Sequence, residues 1–162
     1  MSEHALLLDE LRRTHDGDPW HGPSRAHVLA DIDAGLAARQ PPGGAHSIWE
    51  LVLHMRAWTG EVARRLVEGR PRLPDDGDWP PVPSPPTAEA LVVTLMSLNE
   101  AHARLMRTVE AFPEERLGED VGDTRDGPLG TGVTFAAMLH GLAQHDAYHT
   151  GQIAILKRLV GG

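Results

Sequence analysis

Apolar residues recur at helical intervals in five stretches of the chain. Ala5, Leu6, Leu8 and Leu11 mark the first, from Ser2 to about Thr14. Ser24 is placed to cap a second that runs to about Arg39, with Val28, Leu29, Ile32 and Leu36 on one face. Pro41-Pro42-Gly43-Gly44 stops it. Ser47 opens a third, with Glu50 at capping-box spacing, and Ile48, Leu51, Val52, Met55, Val62 and Leu66 hold the period as far as Gly69. Residues 71–86 are dense in proline and are expected to be irregular. Thr87 starts a helix reaching about Phe112, with Glu89 in its first turn where a negative charge suits the dipole. Residues 113–132 read as irregular, and a last helix runs from about Val133 to Val160. No stretch reads convincingly as a strand. The pattern predicts a single all-α domain over residues 1–162: a four-helix bundle with one short extra helix and at least one long crossover.

The last helix contains His145-Asp146-Ala147-Tyr148-His149. Histidines at i and i+4 share a helical face, so both imidazoles are able to reach one metal ion about 2.0–2.1 Å away. Phe135, Met138, Leu139, Leu142, Ile153, Leu156 and Val160 form that helix's apolar stripe, with His149 near its centre and His145 near its edge. Imidazoles among apolar groups are costly without partners, and a metal would supply one to both. A third ligand is then expected, and His54, on the flank of its own helix's apolar stripe, is the best candidate. Three neutral imidazoles would leave coordination positions open, as in catalytic sites. The competing reading is that these are core or surface histidines satisfied by ordinary neighbours.

Composition narrows the rest. The chain has no Cys, so any metal must bind through His, Asp or Glu. Its formal charge is −8, which argues against a nucleic-acid partner. Apolar runs fall far short of a membrane span. No basic region precedes the short apolar stretch near Met1, so no signal peptide is expected and a cytoplasmic location follows. Of the 10 His, His4, His15, His27, His46 and His102 read as helix-surface or loop residues. His140 lies opposite the pair and either supports a ligand from behind or, more simply, faces solvent. His21, after Trp20, either lines a pocket mouth or, more simply, packs in its loop. Tyr148 and Gln152 flank the pair, either to hydrogen-bond a bound water or substrate or simply to pack. Asp146 either orients an imidazole or serves a solvent-facing or interhelix role.

His54-Met55-Arg56-Ala57-Trp58, followed far downstream by His145-Asp146-Ala147-Tyr148-His149-Thr150-Gly151-Gln152-Ile153, resembles the DinB-like (YfiT-like) superfamily of metal-binding four-helix bundles. Trp20-His21-Gly22 and His46-Ser47-Ile48-Trp49-Glu50-Leu51 add to the likeness. The resemblance implies an up-down-down-up bundle with residues 71–86 as the crossover. It implies that His54, His145 and His149 bind a divalent ion, nickel or zinc foremost, and that the protein forms a homodimer. Relatives include thiol-dependent S-transferases and isomerases using bacillithiol or mycothiol, and proteins described as metal-dependent hydrolases.

Two enzymatic chemistries on a small-molecule substrate fit these residues. The ion either activates water for hydrolysis or binds a low-molecular-weight thiol cosubstrate and delivers it to an electrophile. Glu50 and Glu61 are the candidate carboxylate bases for the first, and Arg56 is a candidate contact for an anionic thiol in the second. The alternative is a non-catalytic metal-dependent ligand-binding or stress-response protein.

Overall fold

In a computed structural model, residues 1–122 and 132–161 are described. Among them are six α-helices: α1 (Glu3–His15), α2 (Arg25–Leu29), α3 (Ala34–Ala38), α4 (Ile48–Glu68), α5 (Ala88–Glu110) and α6 (Phe135–Val160). Part of the stretch read as irregular, residues 123–131, lies outside the described residues. Among the described residues there is no strand, only an isolated bridge between Asp120 and Thr134. No described helix is long and apolar enough to cross a membrane.

The long helices start where the sequence places them, but Ser24, expected to cap the second helix, makes no side-chain cap bond to α2. The Ser47 hydroxyl accepts from the Glu50 amide at 3.3 Å, and the Glu50 carboxylate accepts from the Ser47 amide at 2.7 Å, closing the expected capping box. The Thr87 and Thr134 hydroxyls accept from the Ala90 and Ala137 amides at 3.2 and 3.1 Å, capping α5 and α6 without a reciprocal carboxylate. Gly69 ends α4 at φ 64°, a left-handed conformation that glycine adopts without a side-chain clash. The second predicted helix does not survive as one piece. It breaks between α2 and α3, where Asp33 leaves helical geometry and accepts from the Leu36 amide at 2.8 Å. A short side chain that bonds a nearby amide ends one helix and starts another. The single short extra helix of the sequence reading is therefore two short helices.

Packing fixes the helix directions. One core cluster joins Val62 and Leu66 near the end of α4, Leu105 and Val109 near the end of α5, and Phe135 and Leu139 at the start of α6. Another joins Ile48, Val52 and Met55 early in α4, Leu98 in α5, and Ile153 and Leu156 late in α6. Helices α4 and α5 thus run parallel, and α6 runs against both. The His4 ring bonds the Val109 carbonyl at 2.6 Å, while His15 stacks on His102 with ring centres 3.8 Å apart, so α1 runs against α5. The order is up-down-down-up.

Two parallel neighbours require the chain to return along the length of the bundle between them. Residues 70–87 make that return and are pinned at their start by a buried ionic clamp. Glu61, only 3% exposed, accepts from Arg64 Nη2 at 2.6 Å, from Arg65 Nε at 2.7 Å and from the Arg72 amide at 3.1 Å. Arg65 also donates to the Arg72 carbonyl at 3.1 Å. Removing one member of a buried ion pair leaves its partner charged and desolvated, at a cost of about 3–5 kcal/mol. Glu61→Ala is therefore expected to lower unfolding free energy by about that amount in urea denaturation; a loss below about 1 kcal/mol would show the clamp to be solvated.

Candidate metal centre

His54 from α4 and His145 and His149 from α6 converge. Antiparallel packing of α4 on α6 sets the early part of one against the later part of the other, which brings the three rings to one level. His54 Nε2 lies 2.9 Å from His145 Nε2, and His149 Nε2 lies 3.1 Å from the same atom. A ligand atom from each ring falls within 4.8 Å of the others. His54 and His149 are both 6% exposed, while the His145 side chain is 27% exposed and faces the open side.

The far nitrogens of two rings determine what the near ones offer. His54 Nδ1 lies 2.7 Å from the Asp78 carbonyl oxygen, and His149 Nδ1 lies 2.6 Å from Gln152 Oε1. Both partners are acceptors, so each Nδ1 carries the proton and each Nε2 presents a lone pair. Burial lowers the pKa of His54 and of His149 below the ordinary imidazole value, and the neighbouring His145 lowers both further, while the Asp78 and Gln152 acceptors oppose the shift. Both rings are neutral at pH 7. A single proton on His145 Nε2 bonds one of the two lone pairs well, not both. A cation accepts all three. Two nitrogens bound about 2.0–2.1 Å from one ion lie about 3.0–3.4 Å apart, which the two separations from His145, 2.9 and 3.1 Å, approach. The donor set fits a divalent ion.

A buried polar chain stands behind His145. Asp146, 4% exposed, pairs through Oδ2 with Arg25, which is 1% exposed. Burial opposes ionisation of this carboxyl, but the Arg25 guanidinium prevails and holds it below the usual carboxylate range. Its other oxygen lies 3.9 Å from His145 Nδ1. Neither of those two atoms has a hydrogen-bond partner among the described residues. Closing the gap by about 1 Å joins them and orients the ring, as outer carboxylates do for ligating imidazoles. Of the roles open to Asp146 from sequence, the solvent-facing one is excluded. Arg25 Nη2 also reaches His15 Nδ1 at 2.7 Å, and His15 stacks on the buried His102. These two histidines do not lie idle on the helix surface. Interhelix packing encloses them, through contacts that sequence spacing does not register.

Other sequence candidates are placed differently. Glu50 is taken up by its capping box, where its second role is a 3.2 Å bond from Gln40, and Glu61 by its arginine clamp. Neither is free to act as a base at the rings. Arg56 pairs with Asp76 at 2.6 Å and lines a separate charged groove. Gln152 binds the far nitrogen of His149 and takes Tyr148 as its own acceptor at 3.3 Å. His140 bonds Glu10 at 2.7 Å. The residues that sequence reasoning missed are Asp78 and Trp79 in the crossover. Trp79 stacks on His54 at 4.0 Å and on His46 at 3.5 Å. An aromatic amid prolines was the available signal.

The fold and these three rings define a class of protein: helical bundles that gather imidazoles from antiparallel helices at one level of the core. The chain belongs to the DinB superfamily, whose family model matches residues 24–153. No curated protein and no solved structure matches it at significance.

The buried histidines make stability pH-dependent. Burial and the Arg25 charge pull His15 to about 4. Burial, then His15 and Arg25, pull His102 to about 3. Unfolded imidazole titrates near about 6.5, so between that value and the folded ones the unfolded chain binds more protons. Stability is full above about pH 6.5 and is lost as pH falls toward 4. The melting temperature is expected to drop across that window, and His102→Gln to flatten the drop. A His102→Gln profile as steep as the parent's would exclude this origin.

Proposed function

We propose that His54, His145 and His149 hold one divalent ion, nickel or zinc, and that the protein uses it as a metal-dependent enzyme acting on a small molecule. The observation that carries this reading is the pair of Nε2 lone pairs that Asp78 and Gln152 direct at a third imidazole. Nitrogen donors suit nickel, copper and zinc. When bound, the ion supplies Lewis acidity that polarises a substrate or lowers the pKa of a nucleophile. The residues of the chain do the rest. Asp78 and Gln152 fix two rings, Asp146 stands ready to fix the third, and Trp79 shields the face of His54 from water.

Neither hydrolysis nor thiol transfer finds its candidate side chain at the rings, since Arg56, the contact foreseen for an anionic thiol, pairs with Asp76 in a separate groove. Hydrolysis benefits from a carboxylate base beside the nucleophile, and Glu50 and Glu61 are both committed to structural bonds. A low-molecular-weight thiol held as thiolate needs no such base. Nothing in this reading calls for nucleic acid.

Metal analysis tests the site. Protein purified without a tag is expected to take up one ion per chain, and His54→Ala and His149→Leu to take up none. Retention of a full ion by either variant would exclude the three-imidazole site. Turnover of a chloro-aromatic electrophile is expected only with added thiol; turnover without thiol favours hydrolysis, and no turnover with either favours a binding protein. Asp146→Asn is expected to weaken metal affinity about 10–100-fold in calorimetric titration, since it disturbs the group that orients His145. Unchanged affinity would make the Asp146–Arg25 pair a packing device alone.

A further inference from the structure

A cavity of about 530 Å³ opens beside His149. That size lies within the roughly 300–1,000 Å³ of small-molecule sites. Its walls are Leu51, Ile155 and Leu156 with the rings of Trp79 and Tyr148, and its polar groups are the His46 and His149 imidazoles, the Gln152 amide and the Tyr148 hydroxyl. No Asp, Glu, Lys or Arg is among the described residues that line it. The charged groove that holds Arg56, Arg64 and Glu61 is a separate cavity, lined by none of the three imidazoles. Leu51 and Leu156 are buried and form the floor, while Tyr148 and Ile155 are exposed and stand at the mouth.

Trp79 is held from both sides. Its ring lies 8° from the plane of His46 and 11° from that of His54. With both faces covered, it offers the cavity its edge, the positive rim of an aromatic ring. A flat ring entering there meets that rim with its own face, a favoured aromatic geometry. In the metal-free protein an ionised group would lose its hydration against aliphatic walls, with no opposite charge among the lining residues to replace it.

We propose that this cavity receives an uncharged, flat apolar group, and so that the part of the substrate seated beside the imidazoles is an aromatic ring. The inference rests on the metal-dependent reading for its link to catalysis. The cavity itself is testable without the ion.

Metal-free and nickel-loaded protein are to be titrated calorimetrically with 1-naphthol, with 1-naphthoate as the anionic control. Expected is one 1-naphthol per chain in both forms, bound at least about tenfold tighter than 1-naphthoate by the metal-free protein. Ile155→Glu, at an exposed position, is expected to weaken 1-naphthol about tenfold or more with nickel uptake unchanged. Equal or tighter binding of 1-naphthoate to metal-free protein overturns the proposal, as does undiminished 1-naphthol binding by Ile155→Glu. Nickel uptake with no 1-naphthol binding overturns it while sparing the metal site. 1-Naphthol binding with no nickel uptake supports the cavity and overturns the metal-dependent reading instead. A dimer that Ile155→Glu splits, with no 1-naphthol bound, assigns the face to a second copy of the chain and also overturns the proposal.

Discussion

Helices α4 and α5 follow one another in the chain and point the same way, as the shared ends of their core clusters require. A chain that leaves the bottom of one must therefore return to the top before starting the next. Residues 70–87 make that journey, and much of the candidate site is built from it. The arginine clamp on Glu61 pins the segment where it leaves α4. Farther along, Asp78 gives its carbonyl to His54 and Trp79 covers that ring. An antiparallel pair joined by a tight turn would leave the His54 ring uncovered on this side. The topology thus produces the site's wall as a consequence of a connection it needed anyway.

Polar groups deep in a small bundle are costly unless paired, and this one carries many. They are arranged in two ways. Around Glu61 the charges are matched with short bonds, and the result is mechanical. Around residues 145–149 the matching is left incomplete: His145 Nδ1, Asp146 Oδ1, Thr150 Oγ1 and, nearby, Arg25 Nε and His102 Nδ1 are buried without partners among the described residues. An interior that fully satisfied itself would have no affinity to spare. Lone pairs aimed at one point, backed by groups able to adjust by less than a bond length, are suited to a guest that supplies positive charge.

The neutral cavity beside His149 fits the same division. Charge near the rings stands behind them, in the Asp146–Arg25 pair and the Asp78 carboxylate, while the acids and bases of the separate groove of Arg56, Arg64 and Glu61 neutralise each other. The wall beside the imidazoles is left to Leu51, Leu156, Trp79 and Tyr148. An ion seated at the rings would then face this wall across a medium of low polarizability, which weakens its field little.

What the sequence by itself determined is short-range. Caps at Ser47 and Thr87 act within one turn, and the helical period repeats every few residues, so the long helices and their buried faces were readable locally. The His145/His149 pair was readable for the same reason, since i and i+4 share a face in any α-helix. The break at Asp33 was missed because a run of apolar residues at helical spacing masked a side chain that competes for its own backbone. His15, His102, Arg25, Asp78 and Trp79 acquired their places only in three dimensions. Arg25 and Asp146 are 121 residues apart, and His54 and Asp78 are 24 apart on different kinds of structure. No local period encodes such meetings; they are fixed by which helix ends share a core and by where the returning segment is forced to lie.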